Sequence, residues 1–367
     1  MKNRTYVNYL VVFFTSSLFL FYSCSDNKSC TNCPPLGSDT TSHNFVWYID
    51  TLGDGAGSKL NDLVIVNDTL VFAVGEITKK DSIGNWDYEP YGLATWNGRF
   101  WELRKIYYAS TDGSRIIFSN IRGILYLNSS EIWFAAGSIF RWDGISSTTE
   151  LSYSRLSLAD SRGSIEKLWG SSKSLIYGVG NSGTIVYYNG TTWTRIDSDP
   201  TLDIYDIHGS WNDDKKFMEI IAAGAQQFDS NNKTILRLSG ITTQALSCSD
   251  IPYSIHGIWF KPDLGYFIVG SGIYFKNSIS GNDSWKWLHE GISQYYIYCI
   301  DGNNVNDVMA AGEYGELLHF NGSTWKSFQS ETAISADAYI SVKIRGNLCV
   351  AVGYKSQVAI IAIGRRQ

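Results

Sequence analysis

Few residues in this chain of 367 have the types and spacing that chemistry requires. Cys30 and Cys33 form a C-x-x-C pair, whose available chemistry is a small disulfide or thiol exchange. Exchange needs a strand–helix setting, haem attachment needs a His where Pro34 stands, and zinc needs a second ligand pair nearby. A passive disulfide is the expectation. The five histidines make no H-x-H or H-E-x-x-H pattern and no G-x-x-x-x-G-K-[ST] loop occurs, so metals, nucleotide cofactors and a catalytic constellation have no support. Cys299 and Cys349 sit in apolar runs and read as packing residues, and Cys248 lies in a Ser-rich connection.

Two other groups could carry binding. The first is an insert from Glu76 to Tyr91 that gathers Trp86, Asp87, Tyr88, Glu89 and Tyr91, aromatics and carboxylates that suit contact with protein or sugar. Glu313-Tyr314 and Tyr354-Lys355 stand at the corresponding place in two later segments and are expected to share its patch. The second is a set of residues that each precede a glycine: Trp169, His208, His256, Asp301 and Arg345. They are expected to form an arc around one mouth of a central channel, where two His near an Asp would titrate near neutrality. The plainer alternative is that they only cap inner strands.

What must position these residues is a repeat. A small-residue motif ending in Gly recurs seven times, at Gly75, Gly137, Gly180, Gly224, Gly270, Gly312 and Gly353, with spacings of 62, 43, 44, 46, 42 and 41 residues. Periods of about 40–50 residues built from strands mark propeller blades. Within a repeat the order is apolar strand, Gly turn, strand, Asn-Gly turn and aromatic strand, as in KLWGSSKSLIYGVGNSGTIVYYNGTTWTRI from Lys167 to Ile196. Asn97-Gly98, Asp143-Gly144, Asn189-Gly190 and Asn321-Gly322 are two-residue hairpin signals, because both turn positions favour positive φ. The second strand is apolar on successive residues, as in Ile220-Ile221-Ala222-Ala223, which fits a strand buried on both faces. Trp101, Trp193, Trp285 and Trp325 read as blade-to-blade packing. The expected fold is all-β, a seven-bladed β-propeller of four-stranded antiparallel blades. The last repeat has only three strands, so the N-terminal strand Asn44–Asp50 is expected to complete it and close the ring as a monomer.

The chain's start reads as an export signal, with Lys2 and Arg4 ahead of an apolar run from Tyr9 to Tyr22. That run is shorter than the roughly 20 residues a membrane span needs. It ends Phe21-Tyr22-Ser23-Cys24, which resembles a bacterial lipobox; the resemblance implies lipid on Cys24 and a membrane held through acyl chains. The alternative is an ordinary signal cleaved near Ser23. The expected organisation is a signal at 1–23, a lipidated flexible tether at 24–43 and a propeller at 44–367. Ser25 is not the aspartate that retains lipoproteins at an inner membrane, so a bacterial outer membrane is the expected location. Losing Lys2 and Arg4 moves the net charge from −5 to −7, which argues against a nucleic-acid partner.

The repeat resembles the IWG…AVG…NG..W type shared by many secreted bacterial proteins, loosely similar to Kelch, YCF48-like and Asp-box propellers. The resemblance covers residues 44–367 and implies a fold, because propellers host many unrelated activities. Two functions remain open on the sequence. One is an envelope module binding or scaffolding a protein or glycan; the other is a carbohydrate-active enzyme such as a glycosidase, sialidase or lyase.

Overall fold

The computed structural model describes residues 40–109, 114–158, 163–198, 201–281, 283–288, 292–332 and 337–367. Cys24, Cys30, Cys33 and the export signal lie outside them. The described chain forms a seven-bladed β-propeller, and its seven sheets are the seven blades. Each inner strand packs against the inner strands of both neighbouring blades, from Lys59–Asn67 in blade one round to Ala338–Arg345 in blade seven and back.

The unbroken apolar second strands follow from this radial arrangement. Seven apolar clusters occupy the seven interfaces between blades, and successive residues of one strand feed different clusters. Ile220 and Ala222 pack toward blade three, whereas Ile221 and Ala223 pack toward blade five. A residue on either face is buried, so neither face is polar. Trp193 stays at its own interface, against Trp133 at 6.0 Å between ring centroids, and donates its indole N–H to Ser152 Oγ at 2.9 Å.

The recurring glycine also has a steric cause. In six blades the inner strand carries a β-bulge directly opposite it, as between Ile165 and Lys167 opposite Gly180. The bulge pushes a carbonyl toward the second strand: a Cβ on Gly180 would stand 2.0 Å from Ser164 O, and one on Gly353 2.0 Å from Ala338 O. Only glycine fits. Blade two departs by one residue. Gly137 there is the tip of the turn between Ala136 and Ser138, at φ +75°.

The ring closes as expected. Strand Phe45–Leu52 pairs antiparallel with Val358–Arg366, from Phe45 opposite Arg366 to Leu52 opposite Ala359, and is the fourth strand of blade seven. Thr41 and His43, assigned to the tether by sequence, are bound to blade six instead. The Thr41 hydroxyl donates to Asn306 O at 2.8 Å, and His43 Nδ1 lies 2.7 Å from His319 Nδ1. The long 62-residue spacing has two sources, not one. Besides the insert, a hairpin of Ile106–Ala109 and Arg115–Phe118 extends blade two, pairing in parallel with its outer strand Thr148–Tyr153.

Candidate functional site

Register places the channel residues in rows. Trp169, His208, Trp259, Asp301 and Lys343 occupy equivalent positions, each opposite the second-strand residue three places before the glycine. Two of the expected arc therefore fall elsewhere. His256 is the bulge residue of blade five, because Gly257 follows the bulge directly while Gly170, Gly209 and Gly302 lie three positions further on. Arg345 precedes the hairpin glycine Gly346 and donates from its guanidinium to Ile65 O at 3.1 Å, across to blade one.

The true row stitches blades together. The Trp169 indole covers Gly209 of the next blade, and the Trp259 indole covers Gly302; a Cβ on either glycine would fall within 2.8 Å of that ring. Asp301 accepts from Ile344 N–H at 2.9 Å, and His208 meets Phe260 edge-on at 5.0 Å. Burial, then the Lys343 charge, pushes His208 down to about 3. Burial pushes His256 down to about 4, with its Nδ1 2.7 Å from Tyr298 O and its ring stacked on Tyr205 at 4.4 Å. These shifts oppose the reading in which the two imidazoles titrate near neutrality and agree with the plainer one, in which they cap inner strands.

Below the bulges a charged hub spans the channel. Asp62, 1% exposed, accepts from Lys167 Nζ at 2.8 Å, Ser341 Oγ at 2.9 Å and Ile124 N–H at 3.2 Å, so one carboxylate joins blades one, two, three and seven. Burial opposes its ionisation, but Lys167 and then Lys343 hold its pKa below the usual carboxylate value. Asp206 accepts from Ile207 N–H at 2.9 Å and Ile258 N–H at 3.0 Å, and its burial raises it. Lys343 pairs with Asp301 at 3.2 Å. The six bulge residues Asn61, Glu166, Tyr205, His256, Tyr298 and Ile340, with Arg122 of blade two, ring a mouth of about 290 Å³ above this hub.

The insert on blade one is committed internally. Lys105 Nζ lies 2.7 Å from Asp87 and 3.4 Å from Glu89, and Tyr107 donates its hydroxyl to Glu89 at 3.0 Å. Lys105 also stands 5.3 Å over the Tyr91 ring, Lys80 stands 4.8 Å over Trp86, and Tyr88 projects outward, 94% exposed. The closure loop ties this region to blade seven: Ser58 N–H donates to Gln357 O at 3.0 Å, two residues past Lys355, and Ser58 Oγ accepts from Thr78 N–H at 2.9 Å. Glu313, Tyr314 and Tyr354 gather elsewhere. Tyr298 donates to Glu313 at 3.1 Å, Tyr314 packs on Tyr295 at 4.8 Å, and Glu313 acts electrostatically on Tyr354.

A wide recess on the same face has no counterpart among the site residues expected from the sequence. A cavity of about 1150 Å³ opens where loops of blades four, five and six converge, lined by Tyr253, Trp287, Tyr295, Tyr296, Glu313 and Glu316 among others. Trp287 was the available signal: the repeat accounts for Trp285, which is buried in the interface with blade four, and leaves a second Trp two residues on. Glu316 is 3% exposed and accepts from Ser327 Oγ at 2.5 Å.

The chain matches no protein-family model and no curated protein sequence. Solved structures do match. YCF48 bound to D1 peptide superposes with a TM-score of 0.59 at 15% identity, covering 88% of this chain and 98% of that one. The WD40 β-propeller domain of Doa1 gives 0.59 at 14% identity, covering 87% and 96%. An inactive virginiamycin B lyase from Staphylococcus aureus with quinupristin gives 0.51 at 13%, covering 86% and 99%. At such identities the likeness defines the class of fold, a seven-bladed β-propeller, and leaves function to the site.

Proposed function

We propose that this chain is a binding module of the bacterial cell envelope, held to a membrane by lipid on Cys24 and engaging a protein or glycan through its loop face. The observation that carries the reading is the aromatic- and carboxylate-lined cavity over blades four to six. Loops converging on a rigid frame form such sites in general, since the sheets beneath hold the loop ends in place. Peptide- and ligand-bound propellers among the structural neighbours make the use plausible for the fold. A protein labelled with palmitate in growing cells and lost from the membrane fraction as Cys24→Ala supports the anchor; an unlabelled wild type refutes it. Crosslinking in detergent-solubilised envelope, with Trp287→Ala as the comparison, tests the face. A partner captured equally by both proteins would place binding elsewhere.

A further inference from the structure

We propose that the cavity over blades four to six receives a basic peptide segment, with a Lys or Arg side chain of the partner seated against Glu313 and Glu316. This rests on the binding-module reading and names the chemistry of the partner.

Charge decides the class. Among the described residues the lining contains two carboxylates and no Lys, Arg or His. Among the described residues, the hydrogen bonds of Glu313 and Glu316 come from hydroxyls, Tyr298 to Glu313 at 3.1 Å and Ser327 to Glu316. A hydroxyl donor satisfies a lone pair without supplying positive charge. Glu316 is 3% exposed, so its carboxylate sits largely out of water and, among the described residues, is paired with no cation, an arrangement that is costly until a positive group arrives. The other acids near this face differ. Asp87 and Glu89 already hold Lys105, and Asp62 holds Lys167.

The walls fit the same occupant. Tyr253 and Trp287 meet edge to face at 5.4 Å, Phe228 and Tyr296 at 5.1 Å, and Tyr295 and Tyr314 pack at 4.8 Å. Aromatic faces attract cations and also pack the aliphatic stems of Lys and Arg. A neutral sugar would stack on these rings but would bring Glu316 only further hydroxyls, leaving its charge unmatched. An acidic or phosphorylated ligand would add like charge. The net charge of −5 adds long-range attraction for a basic partner, and a cavity of about 1150 Å³ has room for several residues rather than one side chain.

The test uses the chain from residue 24 onward with Cys24→Ala and fluorescein-labelled Gly-Ser peptides, one bearing three lysines and one three glutamates, with maltotetraose as the neutral probe. Binding is read by anisotropy for the peptides and calorimetry for the sugar. The lysine peptide should bind and weaken with added salt, and the glutamate peptide should not bind. Glu313→Gln with Glu316→Gln should weaken the lysine peptide by at least about tenfold, the loss of one desolvated charge pair, while Asp87→Asn with Glu89→Gln leaves it unchanged. Matching melting curves confirm that the glutamine variant is folded. Equal binding of both peptides, binding of the sugar alone, or an unchanged affinity in the glutamine variant would each overturn the proposal. An envelope partner whose capture the lysine peptide cannot displace would sink this inference and leave the binding-module reading standing, whereas absence of any partner would sink that reading.

Discussion

Replacing Asp62 by Ala should remove about 3–5 kcal/mol of stability. The carboxylate is 1% exposed and holds Lys167, Ser341 and the Ile124 N–H at once. Truncation orphans a backbone N–H beside a buried Ile, which costs about 1–3 kcal/mol. It also strips Lys167 of its counter-charge. Breaking a fully buried pair costs about 3–5 kcal/mol, and the 21% exposure of the Lys167 side chain into the channel lets water recover part of that. Urea unfolding of wild type, Asp62→Ala, Lys167→Met and the double variant gives the pairwise term, expected at about 1–2 kcal/mol. The pH dependence has a definite sign. Because the folded pKa of Asp62 is lowered, its contribution is complete above the unfolded value of about 3.9 and is lost as pH falls through the folded one. The gap between wild type and Asp62→Ala should therefore stay constant from neutral pH to about 5 and close below about 4. A loss under about 1 kcal/mol, or zero coupling to Lys167, would mean that the hub does not hold the ring.

Three further outcomes follow from the same contacts. His208 and His256 are pushed down to about 3 and about 4, so the unfolded chain binds their protons first and stability should fall by about 1.4 kcal/mol per pH unit for each below about 6.5; His208→Asn with His256→Asn should make the fall in melting temperature between pH 7.5 and 5 shallower without abolishing it, since His43 and His319 are lowered as well, and a wild type already flat there contradicts the burial argument. Deleting Lys79–Glu89 and closing with a short Gly turn removes the partners of Lys105, an exposed pair whose loss should barely move the melting temperature, and should leave lysine-peptide binding intact; lost binding would return the site to the insert. Burial raises the Cys299 thiol to about 12 and raises Cys349 as well, so iodoacetamide should reach them only on unfolding, as mass spectrometry of native and urea-treated protein will show.

The fold was legible because its demands are local and recur seven times. A bulge that drives a carbonyl into the second strand admits only glycine, and a strand between two apolar interfaces admits no polar face. Both leave the same mark in blade after blade. Phase was harder to read. Gly257 and Gly209 each follow a histidine, yet one lies beside the bulge and packs near Tyr298 O, while the other lies under Trp169. The single-residue context is the same, and only register separates them. The candidate cavity was hidden for another reason. Phe228, Tyr253 and Glu316 come from three different connections and Trp287 and Ser327 from two outer strands, and they meet only when blades four to six are side by side. The insert on blade one stood out by its irregular spacing, but its carboxylates are already paired with Lys105 and Tyr107 of the segment that extends blade two.

The described chain enters the ring on the face opposite the cavity. Thr41 N–H donates to Asn321 O at 3.1 Å and the Thr41 hydroxyl to Asn306 O at 2.8 Å, so the chain arrives beside the hairpin turns of blade six. These turns join first to second and third to fourth strands. The cavity is built from the connections at the other strand ends, including Glu313 to Glu316 after the second strand of the same blade. Strand Phe45–Leu52 runs between the two faces, with Phe45 at the entry end and Leu52 near the loop of blade seven. The entry and the cavity therefore lie at opposite ends of the blade strands. The entry is also where closure is secured. His319, fully buried, bridges His43 at 2.7 Å and Asp307 at 2.9 Å, and Asp307 is held by Arg366 beside the C-terminus. A pull transmitted along the chain thus meets blade six and the last strand together before it reaches Phe45, and the contacts that close the ring are the ones that would carry the tension.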